Sequence, residues 1–222
     1  MKSKVLVLAL TIVFSSVSKA QVSYGIRAGI NLQNLDSKWP NGDDMKYYYK
    51  TGFHVGATAD IHIASDFYIQ PGLLFSTKGA RSKNRYNAKE TKISISYIEV
   101  PVNFLYKPAL GPGKLLIGVG PYLAMAIGGH VKKDDQNGKV KIKNEITSLD
   151  WSNAPYDPIF YVRRFDAGGN LLLGYEFTKK ILVQLNAQLG LTDIAPEIYW
   201  DGSYDKSQDK NIGFGISVGY RL

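Results

Sequence analysis

The feature that most limits the fold of this chain is a period-two alternation that recurs from one end to the other. The last segment sets Ile212, Phe214, Ile216, Val218, Tyr220 and Leu222 against Gly213, Gly215, Ser217, Gly219 and Arg221. The first sets Val22, Tyr24, Ile26, Ala28, Ile30 and Leu32 against Ser23, Gly25, Arg27, Gly29 and Asn31. Successive side chains of a strand point to opposite faces, so each segment reads as a strand with one apolar and one polar side. Six more segments follow the pattern, at 53–63, 67–76, 97–106, 115–127, 165–177 and 181–191. The total is eight, an even number, and each is close to the roughly 9–11 residues a tilted transmembrane strand needs.

The links between these strands alternate in length. Short ones follow the second, fourth and sixth strands, at Ala64-Ser65, from Pro108 to Pro112 and at Thr178-Lys179-Lys180. Long ones follow the first, third, fifth and seventh, at about 33–50, 78–91, 129–164 and 192–210. Outer-membrane barrels show this asymmetry, with short periplasmic turns and long outer loops. No apolar run after residue 20 is long enough for a transmembrane helix, so a chain that spans lipid must do so as a closed barrel.

Which face carries the bulk separates a membrane barrel from a soluble one. A soluble eight-stranded barrel points large aliphatic groups inward. Here the polar face is rich in glycine and small residues, and every mid-strand charge falls on it: Arg27, Asp60, Glu99, Asp166, Glu176 and Arg221. An eight-stranded interior is just wide enough for side chains to fill. These six groups, with His54 and with His62 nearby, are therefore expected to form a polar network in a filled lumen without an open pore. The expected architecture is an all-β, eight-stranded, antiparallel, up-and-down transmembrane β-barrel.

The N-terminus reads as a secretory signal peptide over residues 1–20. Met1-Lys2-Ser3-Lys4 is basic, Val5 to Phe14 is apolar apart from Thr11, and Ser18-Lys19-Ala20 offers small residues before Gln21. The barrel domain then spans 21–222. The formal net charge of +8 falls to +5 when Lys2, Lys4 and Lys19 are removed. A basic balance can indicate nucleic acid, but an exported chain does not meet it, so no nucleic-acid partner is expected. The absence of cysteine excludes disulfides, thiolate metal sites and a lipoprotein anchor.

Local irregularities carry further expectations. Ile93 and Ile95 are out of phase with Ile98 and Val100, which implies a β-bulge or a strand that has left the membrane. Pro71, Pro101 and Pro121 lie inside strands and donate no ladder hydrogen bond, so bulges or a bend are expected there. Asn137-Gly138, between Val131 and Val140, reads as a hairpin turn in the third outer loop, and Asn41-Gly42-Asp43-Asp44 as another turn. Tyr47, Tyr48, Tyr49, Trp151, Phe160, Tyr161, Tyr199 and Trp200 should supply part of the interfacial girdle, the rest lining a surface on the loops.

No motif for catalysis is present: no Gly-x-Ser-x-Gly elbow, no His-Glu-x-x-His and no phosphate loop. His54 and His62 are about 26 Å apart along one strand, too far to share a metal ion. Asp134-Asp135-Gln136-Asn137-Gly138 fails the spacing of a calcium loop. The expectation is no enzyme, no cofactor and no metal. The second outer loop is basic, with Lys78, Arg81, Lys83, Arg85 and Lys89, and Arg81, Lys83, Arg85 and Lys89 are candidates to contact lipopolysaccharide phosphates.

Four motifs carry a family resemblance. They are Tyr68-Ile69-Gln70-Pro71-Gly72-Leu73-Leu74-Phe75-Ser76-Thr77-Lys78-Gly79, Tyr97-Ile98-Glu99-Val100-Pro101-Val102, Gly118-Val119-Gly120-Pro121-Tyr122 and Arg164-Phe165-Asp166-Ala167-Gly168. In this order the chain resembles the PorT-like outer-membrane β-barrel domain family of Bacteroidota over essentially all of its mature length. The resemblance implies localisation in the outer membrane and a barrel of mostly undefined role, some relatives serving protein secretion or gliding. The leading functional expectation is a structural or partner-binding membrane module. It would contact outer-membrane lipid, and a protein partner at the outer loops or the periplasmic side. The alternative is a component of a secretion or gliding complex. A membrane-embedded enzyme and a narrow channel rank below these.

Overall fold

Eight long strands close into one antiparallel ring: Val22–Lys38, Lys50–Ala64, Phe67–Lys78, Glu90–Tyr106, Gly113–Lys133, Phe165–Glu176, Ile181–Gly190 and Gln208–Arg221. They are referred to below as the first to eighth strands. The computed structural model describes residues 21–83, 90–147, 150, 158–178, 180–200, 203–205 and 207–222. The signal peptide expected at 1–20, the loop cations Arg85 and Lys89, and Trp151 lie outside the described residues.

Each strand pairs with its sequence neighbour, and the first closes the ring on the eighth, with Gly25 opposite Arg221 and Lys38 opposite Gln208. The alternation decides the faces. Ile26, Leu73, Val119, Leu171, Leu185 and Val218 are exposed on the outer wall. Arg27, Asp60, Glu99, Asp166 and Arg221 are buried on the inner one. Glycine on the inner face makes room for larger groups: a side chain on Gly29 would run into the His54 ring and the Ile216 carbonyl.

The short turns lie at one end, with both strand termini of the barrel, and this end carries an exposed aromatic belt. Phe67 stacks on Phe104 and Tyr106, and Tyr175 meets Phe177 edge-on. Tyr24 and Tyr220 extend the belt. The aromatic loop residues behave differently from the expectation. Tyr47 and Phe160 pack against an apolar core at the opposite end, and Tyr161 is 8% exposed. Tyr48, Tyr49 and Tyr199 remain exposed. Tyr49 stands 6.4 Å from the ring of the outward-facing Phe214, and strand aromatics supply the belt at the short-turn end.

The long links are largely built into the barrel. The first strand runs on to Lys38, the fourth starts at Glu90 and the fifth continues to Lys133. Arg81–Lys83 pairs with the fourth strand, Gln136–Ile142 folds back on the fifth, and Ile159–Val162 lies parallel to Gln136–Ile142. The hairpin after the fifth strand turns at Asp134-Asp135, where Asp134 has φ +51°, with Lys133 opposite Gln136. The sequence expectation placed that turn at Asn137-Gly138, which instead lies in the returning strand. Gly138 is needed there because a side chain would meet the Pro158 carbonyl. The turn at residues 39–43 forms as expected, with Gly42 at φ +91°.

Two other irregularities are resolved. Ile93 and Ile95 keep the phase of Tyr97 and Glu99 and point inward. The bulge lies across from them, where Ser96 pairs with Gly128 but Tyr97 with Ala126, so Ile127 is the extra residue of the fifth strand. The fourth strand has left the lipid, and its inward face has turned apolar. Pro71, Pro101 and Pro121 cause no bulge. Pro71 opposite Val102 and Leu74 opposite Glu99 share one register, as do Pro101 opposite Tyr122 and Phe104 opposite Val119. Each proline omits a ladder bond and leaves the alignment intact.

Candidate functional site

The inward face is divided into layers along the barrel axis. The layer nearest the short turns is an ion cluster. Asp60 lies 2.6 Å from Arg221 and 2.8 Å from Lys107, and Glu176 lies 2.8 Å from Lys107 and 3.3 Å from Arg221. Gln70 donates to Asp60 at 2.8 Å, and Asn103 donates to Gln70 at 3.4 Å. The Lys107 ammonium also stands 5.0 Å from the Tyr68 ring centroid. Leu105, Leu116 and Leu172 form a small apolar cluster against which Tyr68 packs.

The middle layer sets Arg27 among neutral groups and reaches the Glu99 carboxylate of the layer beyond. The His54 Nδ1 lies 2.7 Å from Asn31 Oδ1, and Asn31 donates to Ser76 at 3.4 Å. Gln188 donates to Glu99 at 2.6 Å. These groups surround a cavity of about 20 Å³. One water needs about 10–15 Å³ by such a measure. Arg27 Nε and Nη1 and His54 Nε2 find no protein partner, and the cavity beside them is the size for a bridging water.

The outer layer is a second ion cluster. Lys78 lies 3.0 Å from Glu99 and 3.2 Å from Asp166. Its approach to Glu99 Oε2 is ionic and lacks the geometry of a directed hydrogen bond. Asp166 accepts from Asn211 at 2.9 Å, Tyr122 at 3.2 Å and Thr192 at 3.3 Å. The Lys78 ammonium sits over the Tyr122 ring at 4.1 Å and near the Tyr97 ring at 5.4 Å. Lys78 and Asp166 are 1% and 0% exposed, so the cluster is sealed from solvent.

Above it the interior becomes apolar. Leu35, Ile93, Ile95, Ala126, Val131, Val140, Val162 and Ile194 pack together as an outer cap. The cap rim holds a polar pair outside the membrane-spanning part, five residues beyond the lipid-facing Phe214: Ser37 donates to Asp209. Burial pushes the Asp209 carboxyl up from its ordinary range, with nearby Asp193 adding to this and the Ser37 hydroxyl opposing it. Burial, with the Asp209 charge, pushes the neighbouring Tyr47 hydroxyl up to about 12.

All seven residues expected in the lumen lie on the inner face. Two further cations, Lys78 and Lys107, were not assigned to it from sequence. Lys78 was placed in the basic second loop; it is the centre of the outer ion cluster. Lys107 falls between the 97–106 segment and the link that starts at Pro108; it holds Asp60 and Glu176. With them Arg27, Lys78, Lys107 and Arg221 balance Asp60, Glu99, Asp166 and Glu176. The signal was present in the sequence as a deficit, two cations against four buried carboxylates, which a dry interior does not tolerate. His62 is outside the network: it sits at the short turn, 2.7 Å from the Ser65 carbonyl and edge-on to Tyr68. Of the basic-loop residues, Arg81 is half-exposed and lies 3.4 Å from Glu90, and Lys83 is exposed. Among the described residues no three of His, Asp and Glu are grouped to hold a metal ion.

Three outer-membrane proteins of known structure align with this chain. Ail of Yersinia pestis, solved with the heparin analogue sucrose octasulfate, superposes with a TM-score of 0.43 at 10% identity, covering 91% of this chain and 99% of that one. Neisserial surface protein A gives 0.44 at 10% identity, with 91% and 99% covered. OprG of Pseudomonas aeruginosa gives 0.49 at 13% identity, with 91% and 97% covered. No curated protein matches the sequence. The family described as outer membrane protein beta-barrel domain matches residues 14–195. With that match over most of its length, an inward polar face and an outward apolar one, this chain belongs to the outer membrane protein beta-barrel domain family and resides in the outer membrane.

Proposed function

We propose that this protein is a non-enzymatic outer-membrane module, a filled barrel that holds a folded outer cap where a partner can reach it. The observation that carries the reading is the occupied lumen. An ion cluster balanced two against two, a second whose extra carboxylate is offset by Arg27, and an apolar cap follow one another along the axis, and the cavity between the clusters is about 20 Å³. Such an interior suits anchoring and presentation, since an aqueous path would have to break buried ion pairs. The test is a planar-bilayer recording of the folded protein. No steady conductance is expected, and a steady ion current at moderate voltage overturns the reading in favour of a channel.

A narrower membership, in the PorT-like barrels, draws support from where the four motifs meet. Lys78 comes from the first, Tyr97 and Glu99 from the second, Tyr122 from the third and Asp166 from the fourth, and all five join the outer ion cluster. Motifs that converge on one buried cluster read as architecture. A secretion or gliding role would work through periplasmic contacts, and recovery of a specific periplasmic partner by cross-linking at the short turns would favour it over presentation at the outer loops. Contact with lipopolysaccharide through the basic second loop is part of the same proposal, with Arg81 and Lys83 as its described members.

A further inference from the structure

The outward face of the cap differs in chemistry from the outer wall beneath it. Residues directly opposite on paired strands share a face. Arg81 is opposite Lys92, and Lys92 is opposite Lys132, so three cations stand in one row across three strands. In the next row His130 is opposite Lys139. Lys141 follows Lys139 by two residues on the same face, where its ammonium stands 6.0 Å from the Tyr161 ring. Lys92, His130, Lys132, Lys139 and Lys141 are all exposed. Glu90 lies on this face, 3.4 Å from Arg81 and 3.2 Å from Lys92, and Asp134 at the hairpin tip accepts from the Glu90 N–H at 3.2 Å. Among the described residues no carboxylate lies within ion-pair distance of Lys132, Lys139 or Lys141.

Like charges directly opposite each other in a sheet are destabilising. A row of them is tolerated when an anion occupies the space between the side chains. Adjacent strands lie about 4.8 Å apart, so Arg81, Lys92 and Lys132 span about 10 Å, wide enough to engage more than one phosphate. The height of the rows indicates the source of the anion. Ile127 is the last exposed apolar residue of the fifth strand before the cap. His130 and Lys132 are three and five residues further on. At about 3.3 Å per residue and a tilt of about 40°, they stand about 8 and 13 Å above it. That is the headgroup zone of the outer leaflet, where a protein in this membrane meets the phosphorylated sugars of lipopolysaccharide.

We propose that this strand wall, with Arg81, Lys92, Lys132, Lys139 and Lys141 as its cations, is a docking surface for the phosphates of lipopolysaccharide beside the barrel. The inference rests on the reading of the protein as an outer-membrane module with an ordered cap, and moves the anion contact from a loop tip to a rigid sheet. The full chain folded in detergent would be titrated with bis-phosphorylated lipid A and with its dephosphorylated form, and retained lipid counted by native mass spectrometry. The triple variant Lys92→Gln, Lys132→Gln, Lys139→Gln should weaken retention of the phosphorylated lipid about tenfold. A control of equal charge loss away from the wall, Lys38→Gln, Lys180→Gln, Lys210→Gln, should change it less than about twofold. Glu90→Gln should strengthen it, because one competing carboxylate is removed. Faster gel migration before boiling verifies that each variant is folded. Equal losses in the two triples, or equal retention of dephosphorylated lipid, overturns the proposal. So does capture of a soluble sulfated saccharide by the wall without retention of lipid A, which would make the site one for a soluble polyanion. None of these outcomes touches the filled-lumen reading, which fails on conductance alone.

Discussion

The same strands build two regions with opposite polarity. In the membrane zone the fourth strand turns Ile98, Val100, Val102 and Phe104 to lipid and Glu99 and Asn103 to the lumen. A few residues further out the inward side carries Ile93 and Ile95, and the outward side carries Glu90 and Lys92. The backbone phase of this strand does not change between the two. What changes is the solvent outside it. Where lipid surrounds the wall, the apolar bulk belongs outside and the interior must be polar and self-neutralising. Where water surrounds it, the hydrophobic effect reverses the sides and the interior packs like that of a soluble domain. The fifth strand makes the crossing with a bulge at Ile127 and Gly128, which moves its inward set from Ala124 and Ala126 to Val131.

This contrast can be broken at five positions. The largest effect is expected from Lys78→Met. It leaves Glu99 and Asp166 buried without their cation, and breaking a buried pair in this way costs about 3–5 kcal/mol. Urea unfolding followed by the heat-modifiable gel shift would measure it; a loss under about 1 kcal/mol would mean the cluster is hydrated and the lumen is not dry. Leu171→Arg comes next, at about 2–4 kcal/mol, because it places a charge on the lipid face near mid-membrane. The matching change on the outward face of the cap, His130→Arg, should stay within about 0.5 kcal/mol. Equal effects at the two sites would erase the boundary drawn between lipid and water.

Ile95→Val tests the cap alone. Loss of one buried methylene should cost about 1 kcal/mol. The cost should appear as faster proteolysis at the outer end, with the gel shift of the barrel unchanged. The smallest effect concerns pH. Burial raises the folded-state Asp209 carboxyl above its unfolded value. The stability it contributes is therefore complete below the unfolded value and is lost as pH rises through the folded one. The cap should be more resistant on mild acidification, and Asp209→Asn should flatten that dependence in thermal melts of the outer end. A melt whose pH slope is the same in the variant would remove Asp209 as its cause.

The barrel and its strand count were legible because alternation is a property of each segment, and the gathering of the short turns at one end because link lengths alternate. Arg27, His54, Asp60, Glu99, Asp166, Glu176 and Arg221 were legible as inward residues for the same reason. Lys78 and Lys107 were not. Both sit where a strand meets a link, and a lysine there reads as solvated until the ring shows that its stem reaches back into the lumen. The hairpin turn was misplaced by three residues because Asn137-Gly138 is a strong local signal, yet Gly138 serves the close approach of Pro158. The prolines were expected to bend the wall, but neighbouring ladders on both sides hold their register.

The sequence by itself determined that this chain spans lipid with strands, because period-two polarity is a local property and a bilayer admits strands only as a closed ring. Tertiary structure alone decided the partners. Lys78 and Asp166 are 88 positions apart, and Asn211 is 45 further on. They meet because ring closure sets the stagger of eight strands, which no single segment encodes. The basic wall has the same origin: Arg81, Lys92 and Lys132 are scattered along the chain, and only strand register makes them one surface.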